Sequence, residues 1–127
     1  MSSGHVHSKH EVPLTPAVFH VLLALAEREM HGYGIMQDVA RISGGRVRMG
    51  PGTLYGTIKR MLEAKLIVES DERPDPALDD ERRRYYRLTD FGSRVAAAEA
   101  ERLSSLLQAA RKRGLTREVV PNPGYSL

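Results

Sequence analysis

The sequence predicts a mainly α-helical chain with one small β-hairpin and a long C-terminal helix. Apolar residues recur at helical spacing in four segments, and the last of these is the longest. Between the third and fourth segments, two short stretches of alternating pattern flank an acidic stretch with two prolines, which is typical of a hairpin and its loop. The 127 residues fit a single domain, and a chain of this size buries roughly two-thirds of its unfolded surface.

The composition excludes several kinds of protein. Because the sequence has no cysteine, disulfides and thiolate metal sites are excluded, and a reducing cytoplasm is the natural compartment. No apolar run approaches the roughly 20 residues that a membrane span needs, and the first residues lack the apolar stretch of a secretory signal. No catalytic constellation or phosphate-binding loop stands in a recognisable setting. We therefore expect a cytoplasmic protein that is not an enzyme and needs no cofactor.

The charges give a weak bias toward acidic partners. The formal net charge is +3, from 19 basic and 16 acidic residues, and 15 of the bases are arginine. Three arginines are consecutive, at positions 82–84. Arginine's flat guanidinium binds a phosphate or a base edge at two points, whereas lysine acts as a point charge. From charge alone, nucleic-acid binding and a solvated surface run both fit this pattern.

The first helix is predicted to begin at Thr15-Pro16 and to end near residue 29, because threonine is a good N-cap and proline suits the first helical position. Its apolar residues occupy two faces, and Phe19 and Leu23 lie on the second. A helix that is apolar nearly all round must be covered on two sides. Its own domain covers one side, so the second face indicates a dimer.

The third helix carries the features that bear on function. A second helix is predicted over about residues 33–42, with Ile42 inward, followed by a short strand over residues 46–49 and the third helix over about residues 53–64. At 100° per residue, the face opposite its apolar stripe centres on Gly56. That outward face is short and basic: it holds Thr53, Lys59, Arg60 and Glu63, with Tyr55 at its edge.

The C-terminal half combines the hairpin with the longest helix. Strands are predicted over residues 66–69 and 83–88, with Tyr86 and Leu88 inward and Tyr85 and Arg87 outward. The last helix is predicted from residue 89 or 90 to about residue 113, where a glycine stops it. Alternating spacings of four and three define a coiled-coil-like seam. Together with Phe19 and Leu23, the seam is the predicted dimer interface, and its residues are Ala96, Ala100, Leu103, Leu107 and Ala110.

Three small helices followed by a hairpin form the winged helix-turn-helix arrangement. It is predicted over residues 14–89, with a dimerisation helix over 90–113, a disordered leader over 1–13 and a flexible tail over 114–127. The major groove of DNA admits one helix, which contacts base edges with its exposed face. The hairpin reaches the flanking backbone, and we expect the arginines at its base to face DNA while its acidic tip points away.

Four segments also resemble those of a known family: Leu14-Thr15-Pro16, His31-Gly32-Tyr33-Gly34-Ile35, Gly52-Thr53-Leu54-Tyr55 and Arg84-Tyr85-Tyr86-Arg87-Leu88-Thr89. They are similar to the signature segments of the PadR family, and the resemblance spans about residues 14–113. It implies a bacterial or archaeal repressor that is dimeric through the last helix and is released from its operator by an inducer; phenolic acids and multidrug compounds are inducers in parts of the family. For such a dimer we expect a pseudo-palindromic operator. The positions that it implies for DNA contact are Thr53, Tyr55, Lys59, Arg60, Arg82, Arg83 and Arg84.

Two features depart from the family's pattern. Gly56-Thr57 stands where many members carry proline or a bulkier residue, which leaves the operator sequence open. The last helix is short, as in the family's compact members, which leaves the extent of the dimer interface and any pocket open.

Several alternatives stay open at the level of sequence. A winged helix also serves as a protein-interaction module, which would expose an apolar patch on the third helix rather than a basic face. A metal-sensing repressor would use imidazoles such as His5, His7 and His10. The alanines of the last helix fit two alternatives equally well: an inducer pocket between the first and last helices, or close packing of helices that leaves no cavity. Tyr55 fits either a phosphate contact or packing at the edge of its helix.

Overall fold

The computed structural model describes residues 12–70 and 84–117. The predicted leader falls largely outside the described residues, as do the hairpin tip and most of the predicted tail. The helices and strands, numbered in chain order, are α1 Pro16–Glu27, β1 Met30–His31, α2 Gly32–Ile42, α3 Pro51–Glu63, β2 Ile67–Glu69, β3 Tyr85–Leu88 and α4 Asp90–Lys112. Four helices and a small antiparallel sheet confirm the predicted winged helix-turn-helix fold class. Among the described residues, no helix is both long and apolar enough to cross a membrane.

The start of α1 follows from its sequence. The Thr15 side chain accepts a hydrogen bond from the backbone N–H of Val18 at 3.2 Å, and Pro16 occupies the first turn. The helix ends at Glu27, two residues before the predicted end, because Arg28 adopts an extended conformation. This early end frees the chain to form β1, a strand of two residues that the sequence pattern did not predict.

The sheet has three strands in the order β1-β3-β2, with both pairings antiparallel. The hairpin partners β2 and β3 join Ile67 to Leu88, and β1 joins β3 through Met30 opposite Tyr86. Tyr86 is buried as the alternation predicts. Tyr85 is half-buried rather than fully outward, because its ring lies edge-on to His31 with centroids 5.2 Å apart.

The strand predicted over residues 46–49 is wrong. Those residues lie in the turn between α2 and α3, where Gly44 and Gly45 both have positive φ angles that suit glycine. The Ser43 hydroxyl holds the turn by accepting the N–H of Val47 at 2.9 Å. Ile42, predicted inward, is 38% exposed because it stands at the last residue of α2, where the chain turns away.

The core lies where α1, α2, α3 and the sheet meet. Its largest fully buried apolar side chains are Val21, Leu22, Ile35, Val39, Leu54, Ile58, Met61 and Ile67. Burial of a side chain of this size contributes about 1.5–3 kcal/mol. The three helices are therefore held by one shared apolar core, which fixes the outward face of α3.

The first turn of α4 is anchored on Leu66, the residue before β2. The backbone N–H of Thr89 donates to the Leu66 carbonyl at 3.1 Å, and the Thr89 side chain caps the helix by accepting the N–H of Gly92 at 2.9 Å. A Cβ on Gly92 would lie 2.9 Å from the Leu66 carbonyl carbon and would overlap the carbonyl oxygen. Glycine is therefore required here for close approach of two backbones.

A buried carboxylate lies farther along α4. Glu99 is 2% exposed, and both of its oxygens accept hydrogen bonds from Arg102, at 2.7 and 2.8 Å. The backbone N–H of Leu14 also donates to Glu99 Oε2, at 3.2 Å. The hydrogen bonds from Arg102 lower the pKa of Glu99, burial opposes them, and the balance leaves the pKa below its ordinary value of 4.5. Nothing in the local sequence pattern distinguishes this residue from a solvated acid.

The Gly92 contact gives a direct test of the fold. We expect Gly92→Ala to destabilise the protein by about 2–3 kcal/mol, because the added methyl overlaps backbone that cannot move without disturbing the cap of α4. Thermal unfolding followed by circular dichroism should show a Tm lower by roughly 10 °C.

The matched control is Gly56→Ala, in the interior of α3, where the nearest atom to an added Cβ is the Arg60 side chain at 3.7 Å. Alanine there should stabilise the helix by up to about 1 kcal/mol. Equal effects of the two substitutions would contradict the close approach at Leu66.

Glu99 makes stability depend on pH in a defined direction. Because its pKa is lowered in the folded chain, the charged carboxylate contributes stability above about pH 4.5, and this contribution is lost as the pH falls through the folded-state pKa. Glu99→Gln should therefore lower the free energy of unfolding at neutral pH, and its deficit against the original chain should shrink on acidification. Urea unfolding at a series of pH values measures this, with Glu101→Gln, on the exposed surface of the same helix, as control. A deficit that stays constant with pH would contradict the assignment.

Candidate nucleic-acid interface

Helix α3 has one buried and one exposed face. Leu54, Ile58 and Met61 are buried in the core, and Thr57 is fully buried beside them. Thr53, Lys59 and Arg60 are exposed, as the helical spacing predicts. The outward face is therefore polar and basic over its described length, and it carries no large apolar residue.

The N-terminal end of α3 is open to solvent. Its N-cap, Gly50, makes no side-chain capping bond, and the first turn holds no acidic residue. No atom lies within 4 Å of a Cβ built on Gly50 or Gly52. The free backbone N–H groups and the positive end of the helix dipole can therefore face an anion without obstruction.

Two arginines that the sequence analysis passed over precede this helix end. Arg46 and Arg48 are exposed in the turn between α2 and α3, and Arg48 Nε donates to the carbonyl of Gly45 at 3.2 Å. Within the described residues, neither forms an ion pair with a carboxylate. The prediction of a strand over residues 46–49 drew attention away from these arginines. A basic run bounded by glycines just before a helix is nevertheless a sequence pattern that could have indicated them.

Arg60 and Lys59 present their charges differently. The Arg60 guanidinium bends back along α3, where its Nη2 donates to the Thr57 hydroxyl at 3.3 Å and its Nη1 lies 3.7 Å from the position of a Cβ on Gly56. The side chain of Arg60 therefore covers the gap that Gly56 leaves. Lys59, in contrast, is exposed and forms no ion pair with a described residue.

Tyr55 points toward the protein rather than away from it. A Cβ on Gly32, the first residue of α2, would collide with the Tyr55 hydroxyl, so the phenol occupies the space that this glycine leaves. The side chain is half-buried and packs against the core. The Tyr55 side chain thus links α3 to the start of α2. This is the packing role that the sequence left open for this tyrosine beside a phosphate contact.

Only one of the three consecutive arginines falls in the described residues. Arg84 is exposed at the base of the hairpin, and its Nε lies 3.5 Å from Glu69 Oε2 on β2. Arg82 and Arg83 lie outside the described residues, together with the acidic tip. The pairing with Glu69 partly neutralises Arg84, so the wing offers less free charge at this position than the sequence suggested.

A second surface is apolar and lies on α1 and α4. Leu23, Leu103 and Leu107 are 37%, 37% and 43% exposed, and Phe19 is half-buried. Of the predicted seam, Ala100 is exposed and Ala110 half-buried, whereas Ala96 packs against the chain's own core. Leu106, which the seam spacing omitted, is 55% exposed. An apolar stripe on a helix that extends from its domain is typical of a protein interface.

The described residues hold no group of three His, Asp or Glu side chains that could bind a metal ion. His31 serves the fold instead, because its Nδ1 accepts the N–H of Gly34 at 2.9 Å and so caps α2. His5, His7 and His10 lie outside the described residues.

The sequence profile of the transcriptional regulator PadR-like family matches residues 21–98, which include all of the described helices except the start of α1 and the end of α4. The chain belongs to this family. Its members regulate transcription, so the chain is a transcriptional regulator and not an enzyme.

Two protein relatives share more than a third of the aligned residues. The transcriptional regulator Rv3488 of Mycobacterium tuberculosis is 39% identical over 83 residues, covering 65% of this chain and 70% of the relative. An uncharacterized 37.1 kDa protein in transposon TN4556 of Streptomyces fradiae is 38% identical over 86 residues, covering 68% of this chain. The chain spans only 22% of that longer protein.

Solved structures show the same fold. A PadR family transcription regulator from hypervirulent Clostridium difficile superposes with a TM-score of 0.63 at 19% identity, covering 77% of this chain and 97% of the other. ZitR from Lactococcus lactis, solved in complex with DNA, has a TM-score of 0.54 at 25% identity and covers 81% of this chain and 62% of its own.

Proposed function

We propose that this regulator is a homodimeric repressor whose α3 helices bind successive major grooves of a pseudo-palindromic operator. The observation that carries the proposal is the outward face of α3, where Thr53, Lys59 and Arg60 are exposed on a helix whose other face is fixed in the core. ZitR, a structural neighbour of this chain, was solved in complex with DNA, which supports the same use of the fold here.

The charges around α3 support a DNA partner over a protein partner. Lys59, Arg46 and Arg48 pair with no described carboxylate, so their charges are available for phosphates. Release of counterions from neutralised phosphates supplies most of the non-specific affinity of such proteins. We assign base contacts to Thr53 and Arg60, backbone contacts to Lys59, Arg46, Arg48 and the wing arginines Arg82, Arg83 and Arg84, and a supporting role to Tyr55.

The apolar surface of α1 and α4 supports the homodimer. Phe19 and Leu23 on α1 and Leu103, Leu106 and Leu107 on α4 expose apolar area that a second copy of the chain would cover. Two copies related by a two-fold axis would place their α3 helices about 34 Å apart, one turn of DNA. A small-molecule inducer would bind between the subunits, where Phe19 and Leu23 face the alanines of α4.

Binding to DNA tests the first part of the proposal. Fluorescence anisotropy should compare a duplex from upstream of the protein's own gene with a random duplex, at several salt concentrations. Selective binding that weakens steeply with salt is expected. No binding to either duplex at low salt would favour the protein-interaction module instead.

Substitutions on α3 test the contact assignment. Lys59→Ala should reduce the salt slope by about one, because one phosphate contact is lost, and should weaken binding to all sequences alike. Arg60→Ala should cost about 1–3 kcal/mol on the operator and relax its sequence preference. The matched control is Lys112→Ala, an exposed cation at the far end of α4. Original affinity in both α3 variants would refute the assignment.

A charge in the apolar stripe tests the dimer. Leu103→Asp should give monomers, because a buried carboxylate without a partner costs several kcal/mol. Ser105→Asp places the same charge on the opposite side of α4 and should leave the dimer intact. Sedimentation equilibrium measures both variants, and a tight Leu103→Asp dimer would show that the interface lies elsewhere.

A further inference from the structure

Glu99 is a buried charge that neither the DNA face nor the apolar stripe uses. It is 2% exposed and is the last buried residue of α4. One turn later the helix leaves its own domain, and residues 103–108 are all exposed. Glu99 therefore lies at the point where the part of α4 proposed for dimerisation extends beyond the part that belongs to the DNA-binding domain.

Its hydrogen bonds join α4 to the start of α1. Arg102 holds both carboxylate oxygens, at 2.7 and 2.8 Å, and so fixes the side chain of Glu99 in one orientation. In that orientation Oε2 accepts the N–H of Leu14 at 3.2 Å, from the residue just before the N-cap of α1. The carboxylate also lies near the positive end of the α1 dipole, which favours its charge.

Stability alone does not account for an ion pair at this position. Removal of charges from water costs several kcal/mol per ion, and well-packed apolar replacements of buried pairs are often neutral or stabilising. What an apolar residue cannot supply is direction, because apolar contacts tolerate sliding whereas a hydrogen bond fixes two atoms. The part of α4 that packs on the core is thus fixed at two positions in different ways. Gly92 packs closely against the backbone of Leu66, and Glu99 accepts a hydrogen bond from Leu14.

Two anchors on one helix fix the direction of its axis. Gly92 and Glu99 are seven positions apart, which is roughly 10 Å along α4. If the anchor at Glu99 is lost, the helix can pivot about Gly92. A pivot about Gly92 turns the DNA-binding domain of each subunit relative to α4, and so changes the separation of the two α3 helices, which is about 34 Å on successive major grooves. A change of about 3.4 Å in that separation corresponds to the rise of one base pair.

We propose that Glu99 is a positioning residue that sets the angle between α4 and α3, and thereby the spacing of the two half-sites that the dimer accepts. The proposal rests on the homodimeric DNA-binding function proposed above. Arg102 and the Leu14 amide act with Glu99, and none of the three contacts DNA. Loss of the anchor broadens the range of accepted spacings without abolishing either dimerisation or base contacts.

The test compares operators of different spacing. An operator is first selected with the original chain from a pool of randomised duplexes, and versions with one base pair added or removed between the half-sites are then made. The original chain should prefer its own spacing by about tenfold, the size of a typical mismatch effect. Glu99→Leu should remain dimeric and reduce that preference to less than about threefold, whereas Glu101→Gln, on the exposed surface of α4, should leave it unchanged.

The outcomes separate this inference from the function beneath it. A Glu99→Leu dimer that binds every spacing more weakly but keeps the original preference would show a merely structural role and overturn the inference. If Glu99→Leu fails to fold, Glu99→Gln is tested by the same ratio of affinities for the original and altered spacings. Glutamine retains one acceptor oxygen, so an intermediate preference is expected. An unchanged preference overturns the inference. Selection of single, unpaired half-sites by the original chain would instead overturn the homodimeric function, and the inference with it.

Discussion

The packing of backbone against backbone at Leu66 is the constraint on which the rest of the structure depends. The N–H of Leu66 donates to the carbonyl of Met61 and so ends α3, and β2 begins at the next residue. The carbonyl of Leu66 accepts from Thr89 and borders Gly92 at the first turn of α4. The helix proposed to bind DNA, the wing and the helix proposed for dimerisation thus meet at Leu66, and a side chain at position 92 would overlap its carbonyl oxygen.

Three of the described arginines pair with acids of the chain. Arg41 pairs with Asp38, Arg84 with Glu69 and Arg102 with Glu99, so these charges are largely satisfied within the chain. The other described arginines, among them Arg46 and Arg48 beside the start of α3, pair with no described acid. Because the gain on binding DNA comes from exchanging condensed counterions for protein cations, only charges that are free beforehand contribute fully. Under the proposed function, Arg46 and Arg48 in the turn before α3 therefore contribute to DNA affinity.

The sequence was sufficient to predict elements whose signal is periodic. The apolar spacing of α3 and α4, the threonine caps and the alternation of β3 all follow from local side-chain patterns, and the structure bears them out. Strand β1 was missed because two residues cannot show an alternation. Glu99 was missed for a different reason: one acid on a helix rich in Glu and Arg resembles a solvated charge, and its burial depends on Leu14, which is 85 positions away in sequence.

The angle between α4 and the DNA-binding domain also bears on how a ligand at the proposed dimer interface would act. Under the proposed function, a molecule between Phe19 of one subunit and α4 of the other does not need to approach α3, because a change in the angle of α4 moves the DNA-binding domain attached to it. Packed interfaces shift between discrete arrangements rather than deform continuously, and a displacement of one base-pair rise already places an α3 out of register with its half-site. Under the proposed function, an inducer therefore acts by changing the distance between two intact DNA-binding faces. This route requires a rigid link from interface to α3, and the anchors at Leu66 and Glu99 supply that link.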